Sequence, residues 1–229
     1  MKWLYKLEFK YRRYAIADLM KYIVILNATV FFINYLIPNT NLFQKLMLYP
    51  DRVLKGEVWR LISFLFVPDQ LSPIWILFSL YFYYIVGSNL ENQWGSFRFN
   101  IYYLIGVLAT IAAAFIAYAI SPVVAGVKLY IPITTMHLNL SLFLAFAHLY
   151  PNFEILIFFL IPVKVKYLAW FNWALIVFSL IFNPVTLKLA ALASVLNYFI
   201  FFGKDIITMI KTKKLVYKNR KRFKQAYRK

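Results

Sequence analysis

Few residues within the apolar stretches of this 229-residue chain have the chemistry to act on another molecule: Asp18, Lys21, His137, His148 and Lys188. Ionisable groups at membrane depth are costly to desolvate and are functional suspects by default. His137 lies one turn inside an apolar run, with Thr134, Thr135, Asn139 and Ser141 close by in sequence. Residues four apart on a helix approach one another, which brings His137 and Ser141 within reach. A hydroxyl nucleophile also needs an orienting third group and an oxyanion site, and neither is evident. The other chemistry open to His137, Asn139 and Ser141 is hydrogen bonding, either to neighbouring helices or around a small wet cavity near the outer end of their helix. A metal site needs several converging ligands, and two histidines with scattered carboxylates do not supply them. Cysteine is absent, which removes thiolate ligands, disulfides and a thiol nucleophile together. Neither a metal nor a cofactor is expected.

The remaining suspects read as structural. Asp18 and Lys21 sit at the head of the first apolar run with the spacing of an i,i+3 pair. His148 precedes Pro151 and belongs at an interface, and the long stem of Lys188 lets its amine reach the surface from four residues inside the Asn183-Pro184 turn.

The elements that must position these groups are set by composition. The chain is 63% hydrophobic and only 15% charged, against the roughly 25% charge of soluble domains. The apolar runs approach the ~20 residues that cross a hydrocarbon core. They predict an all-α membrane protein with six transmembrane helices, over about residues 17–37, 74–90, 99–120, 131–150, 167–182 and 185–202. Turn signals at Pro38-Asn39, Ser121-Pro122, Pro151-Asn152 and Asn183-Pro184 separate them. Residues 42–73 are too polar to span and form an interfacial loop between helices 1 and 2. Runs of alanine (Ala112, Ala113 and Ala114; Ala190, Ala191, Ala193 and then Ser194) mark close helix packing. No inverted repeat points to a secondary transporter, and the near absence of charge inside the spans disfavours a channel.

Of the 26 basic residues, five fall in the first 13 positions and eleven at 204–229. An even number of spans puts both termini on one side, and basic flanks stay in the cytosol. The chain divides into a transmembrane domain at 1–203, with a basic N-terminus at 1–16, and a basic tail at 204–229. The first apolar run reads as a retained anchor rather than a cleaved signal. The net charge of +18 is then a topology signal with an attraction to anionic lipid, not a nucleic-acid footprint. Abundant Lys, Ile, Phe and Tyr in a short chain suggest a bacterial plasma membrane protein from an AT-rich genome.

Three motifs in register carry a resemblance. The segment Gly56-Glu57-Val58-Trp59-Arg60-Leu61 resembles the tryptophan-arginine motif of the rhomboid superfamily. Gly87-x-x-Leu90-Glu91-x-x-x-Gly95-x-x-Arg98-Phe99 looks like the end of the second rhomboid helix and the start of the third. Phe158-Phe159-Leu160-Ile161-Pro162-Val163-Lys164 is similar to the run that precedes helix five in many relatives. The resemblance implies a six-helix rhomboid-like bundle in which Trp59 sits at headgroup level, Arg60 reaches lipid phosphates or loop carbonyls, and Glu91 meets backbone donors or Arg98.

The catalytic parts of that family do not carry over. Its Gly-x-Ser-Gly motif falls on Thr134-Thr135-Met136-His137, so the nucleophile position is Met136. Its helix-six histidine falls near Lys188, and its oxyanion donors on helix two fall at Trp75 and Ser79. A thioether attacks no peptide bond. The resemblance therefore implies a pseudoprotease that binds or escorts single-span transmembrane clients, with membrane lipids as its other partner and no nucleic acid. An active protease of unusual design is the alternative.

Overall fold

The computed structural model describes residues 2–37, 40–69, 72–125, 132–157, 161–182 and 185–226. The turns expected at Pro38-Asn39 and Asn183-Pro184 and the apolar residues 158–160 lie outside them. In chain order the elements are α1 (Lys2–Tyr11), α2 (Leu19–Leu36), three short helices α3 (Leu42–Leu46), α4 (Pro50–Leu54) and α5 (Arg60–Ser63), then α6 (Pro73–Trp94), α7 (Ser96–Ala125), α8 (Met136–Leu149), strands β1 (Glu154–Ile157) and β2 (Ile161–Lys164), α9 (Val165–Phe182) and α10 (Val185–Ala226). Among the described residues, α2, α6, α7 and α9 are long and apolar enough to cross a membrane.

The centre is α8, 14 residues long with most of them buried. At 1.5 Å per residue it measures about 21 Å, short of a ~30 Å hydrocarbon core. Around it stand α6, α7, α10 and α9, each packed on α8; α6 also packs on α7, α7 on α10 and α10 on α9. Among the described residues the arc is open, because α9 and α6 at its ends do not pack on each other to a comparable extent. On the outside, α2 lies against α6. A Cβ at Gly87 would run into the Met20 side chain, so this crossing is closer than any residue but glycine allows. The same joint is tied at its end, where the buried Glu91 carboxylate accepts the Asp18 backbone N–H at 2.8 Å.

Several boundaries differ from the sequence reading. Ser121-Pro122 does not end the third span: α7 continues to Ala125 with Pro122 inside it. Proline strips the carbonyl four residues back of its donor, and that carbonyl, on Tyr118, accepts the Ser121 hydroxyl at 2.9 Å instead. The fourth helix starts at Met136, not near residue 131, because Ile133 is extended and its N–H donates to the Leu48 carbonyl at 3.0 Å. Asp18 and Lys21 form no ion pair among the described residues; Asp18 takes the left-handed conformation (φ 54°) just before α2. The apolar stretch after α8 is an antiparallel hairpin, with Glu154 opposite Lys164 and Ile157 opposite Ile161. The sixth helix does not stop near Phe202 but runs on to Ala226.

Replacing Gly87 with leucine is expected to wedge α2 from α6, at an overpacking cost of about 1–3 kcal/mol. A thermal unfolding midpoint in detergent unchanged from the parent would contradict the close crossing.

Candidate functional site

The loop between α2 and α6 has irregular backbone, and side chains bind its carbonyls. Arg60 is buried: its Nε and Nη2 reach Glu57 at 2.6 Å, and its Nη1 donates to the Gln44 and Met47 carbonyls, both at 2.7 Å. The guanidinium holds the Glu57 carboxyl below its ordinary value, chiefly through this hydrogen bond. Ser63 donates to the Leu46 carbonyl at 2.9 Å and Asn27 of α2 to the Leu65 carbonyl at 3.0 Å. Of the two roles open to Arg60, the structure shows contact with loop carbonyls, while Trp59 is exposed.

At the end of this loop sits Asp69. Its Oδ2 accepts Asn139 Nδ2 at 2.8 Å and the Tyr83 hydroxyl at 3.4 Å, and its Oδ1 accepts the Thr135 hydroxyl at 3.2 Å. Thus one carboxylate joins the loop, α6 and the first turn of α8. Beside it is a narrow cleft lined by Asn27, Ser79, Tyr83 and Asn139 among others, with about 10 Å³ of interior space, enough for a single water. Burial raises the Asp69 carboxyl above its ordinary value despite the hydrogen bonds that oppose the shift.

The three polar residues expected near the outer end of one helix go to different partners. Asn139 belongs to the Asp69 cluster. Ser141 belongs to a packing joint across α7, α8 and α10: its hydroxyl lies 2.6 Å from the Tyr102 hydroxyl and accepts Asn197 Nδ2 at 2.9 Å, while Tyr102 donates to the Ser141 carbonyl at 2.9 Å. Glycine at 106 makes room for this joint, since a Cβ there would stand 2.8 Å from Asn197 Nδ2. His137 joins neither set; its Nδ1 is buried with no hydrogen-bond partner among the described residues. No contact links His137 to Ser141, so the spacing of four does not produce a base–hydroxyl pair here.

Of the positions expected to replace catalytic groups, Met136 opens α8 and is 54% exposed, and Trp75 is 46% exposed. Ser79 donates its hydroxyl to the Ile76 carbonyl within its own helix, at 3.0 Å, and lines the Asp69 cleft. Lys188 is half-buried on α10. The scaffold motifs act through other partners: Gly95 takes a positive φ of 80° between α6 and α7. Arg98 meets Glu8 of α1 at 2.8 Å and covers the Tyr5 ring, rather than meeting Glu91.

Asp69 and Tyr83 were not singled out from the sequence. The available signal was Val67-Pro68-Asp69, an acid between an apolar run and a spanning helix, masked by averaging it with the six other charges of its loop.

A helical bundle with four helices able to cross a bilayer and its polar side chains turned onto one another defines an integral membrane protein. Residues 20–203 match the family described as eukaryotic integral membrane protein (DUF1751), and the chain belongs to that family. No curated protein matches it. The family's description overturns the bacterial source and bacterial plasma membrane inferred from composition. Abundant Lys, Ile, Phe and Tyr reflects nucleotide bias, which does not separate bacteria from eukaryotes.

Because the folded-state Asp69 carboxyl titrates above its unfolded value of about 3.9, the folded loop binds its proton more tightly than the unfolded chain. Its stability contribution is full below that value and is lost as pH rises through the raised one. Asp69→Ala orphans donors on Thr135 and Asn139 and is expected to cost about 1–3 kcal/mol. Asp69→Asn keeps an acceptor, costs less and removes the pH dependence. Hydrogen exchange of the loop and the start of α8 checks both; equal protection in all three proteins would refute the joint.

Proposed function

We propose that this protein is a rhomboid-like pseudoprotease of six spans, with both termini in the cytosol, that binds or escorts single-span transmembrane clients. The observation that carries the reading is the open arc around α8: α6 and α9 both pack on the central helix and, among the described residues, do not pack on each other to a comparable extent. A lateral opening of that kind admits a helix from the bilayer. Met136, exposed at the head of α8, supports a role without hydrolysis, since a thioether cannot take the part of a hydroxyl. The hydrogen bonding of Ser141 to Tyr102 and Asn197 also supports it, because that hydroxyl is committed to packing.

Photo-crosslinkers placed at Trp75, Leu77 and Tyr81 on α6 and at Phe171, Leu175 and Phe178 on α9 are expected to trap single-span proteins in cells. Lipid adducts alone from both helices would count against client binding. A serine-reactive phosphonate is expected to leave the protein unlabelled. Labelling that disappears in Ser141→Ala would favour the protease alternative.

A further inference from the structure

The hairpin β1–β2 has a polarity gradient along its length. At its root Glu154 and Lys164 lie 3.8 Å apart, Ile155 is buried, and the Val165 N–H donates to the Phe153 carbonyl at 2.9 Å. Two residues farther out the side chains are apolar and exposed: Leu156 at 50% and Ile161 at 57%, with Pro162 beside them. By the register, Leu156 and Pro162 share one face and Ile161 the other, so the outer half is apolar on both faces. Two strands of four residues are too small to be stable alone in water. Their outer backbone edges also forbid the hydrocarbon centre, where no unpaired N–H or C=O is tolerated. The environment that satisfies both constraints is the boundary between headgroups and acyl chains, where amphipathic elements bury an apolar side to about 5–10 Å.

The surroundings name the same occupant. Exposed aromatic side chains follow on the first turns of α9 at Tyr167, Trp170 and Phe171, and Tyr and Trp are residue types that anchor spans at the interface. The hairpin lies at the end of the bundle where α10 leaves it, since His148 packs on Phe202 and Tyr150 reaches Gln93. That end carries α1 and the basic half of α10, a charge that suits an anionic leaflet. We propose that the outer half of this hairpin, carrying Leu156, Ile161 and Pro162, inserts into the anionic lipid leaflet at the basic end of the bundle, as a shallow wedge beside α9.

The absence of cysteine makes the test direct. Leu156→Cys and Ile161→Cys are labelled singly with a nitroxide, and the full-length protein is reconstituted in vesicles of phosphatidylcholine and phosphatidylserine. Collision with oxygen and with an aqueous nickel chelate is then measured. Leu175→Cys, exposed at the middle of α9, is the lipid reference. Oxygen collisions exceeding nickel collisions at 156 and 161, with the nickel deficit smaller than at 175, is the expected result and sets a shallow depth. Nickel collisions exceeding oxygen would place the hairpin in water, and low values for both would mean that protein, such as a second copy, covers it. Either outcome overturns the proposal. If one variant fails to fold, the other carries the same reading from the opposite face.

Discussion

The irregular segment between α2 and α6 is held in shape by side chains that take its carbonyls. Arg60 binds two of them, Ser63 a third and Asn27 a fourth. The positive charge that makes these bonds strong is itself neutralised by Glu57 at 2.6 Å, without which burial of the guanidinium would be prohibitive. This clamp gives the loop a fixed shape. A fixed loop can present Leu48 to Ile133 and Asp69 to Thr135 and Asn139, and those contacts define where α8 begins.

The short central helix is consequently bonded on two sides by different means. One side meets the loop through a carboxylate; the other meets α7 and α10 through hydroxyl and amide groups around Ser141, Tyr102 and Asn197. Aromatic packing closes the basic end of the same core, with Tyr102 and Phe201 at 4.8 Å and His148 and Phe202 at 4.6 Å between ring centroids. Apolar packing alone discriminates poorly between protein and lipid, since acyl chains are as apolar as leucine. Directed polar contacts supply the specificity that apolar burial lacks here.

The sequence was informative where a signal is local. Run length and charge deficit mark a helical membrane protein, with four helices long and apolar enough to cross a bilayer among the described residues, and Gly87, Glu91 and Arg60 announce close packing and buried polar contacts through their residue types. What escaped depends on partners distant in sequence. Asp69 gains its meaning from Asn139, 70 positions on, and Ser141 from Asn197, 56 positions on. Periodicity assigned His137 and Ser141 to one face correctly as geometry, yet it could not say that Tyr102 would claim the hydroxyl. Ser121-Pro122 misled for a related reason: the rule that proline breaks helices assumes nothing replaces the lost donor, and Ser121 replaces it.

The length of α10 has a mechanical corollary. Its 42 residues measure about 63 Å at 1.5 Å per residue, roughly twice the hydrocarbon thickness. The 20 residues from 207 to 226, beyond the last contact of Ile206 with the core, extend about 30 Å past the bundle. A rod of that reach, rigidly continuous with a helix bonded to α8 through Asn197 and Ser141, amplifies angular motion. Rocking the span by 10° would sweep the far tip by about 5 Å on this helical rise, so a rearrangement of the core too slight to notice locally is magnified into a displacement the width of a side chain at the distal end.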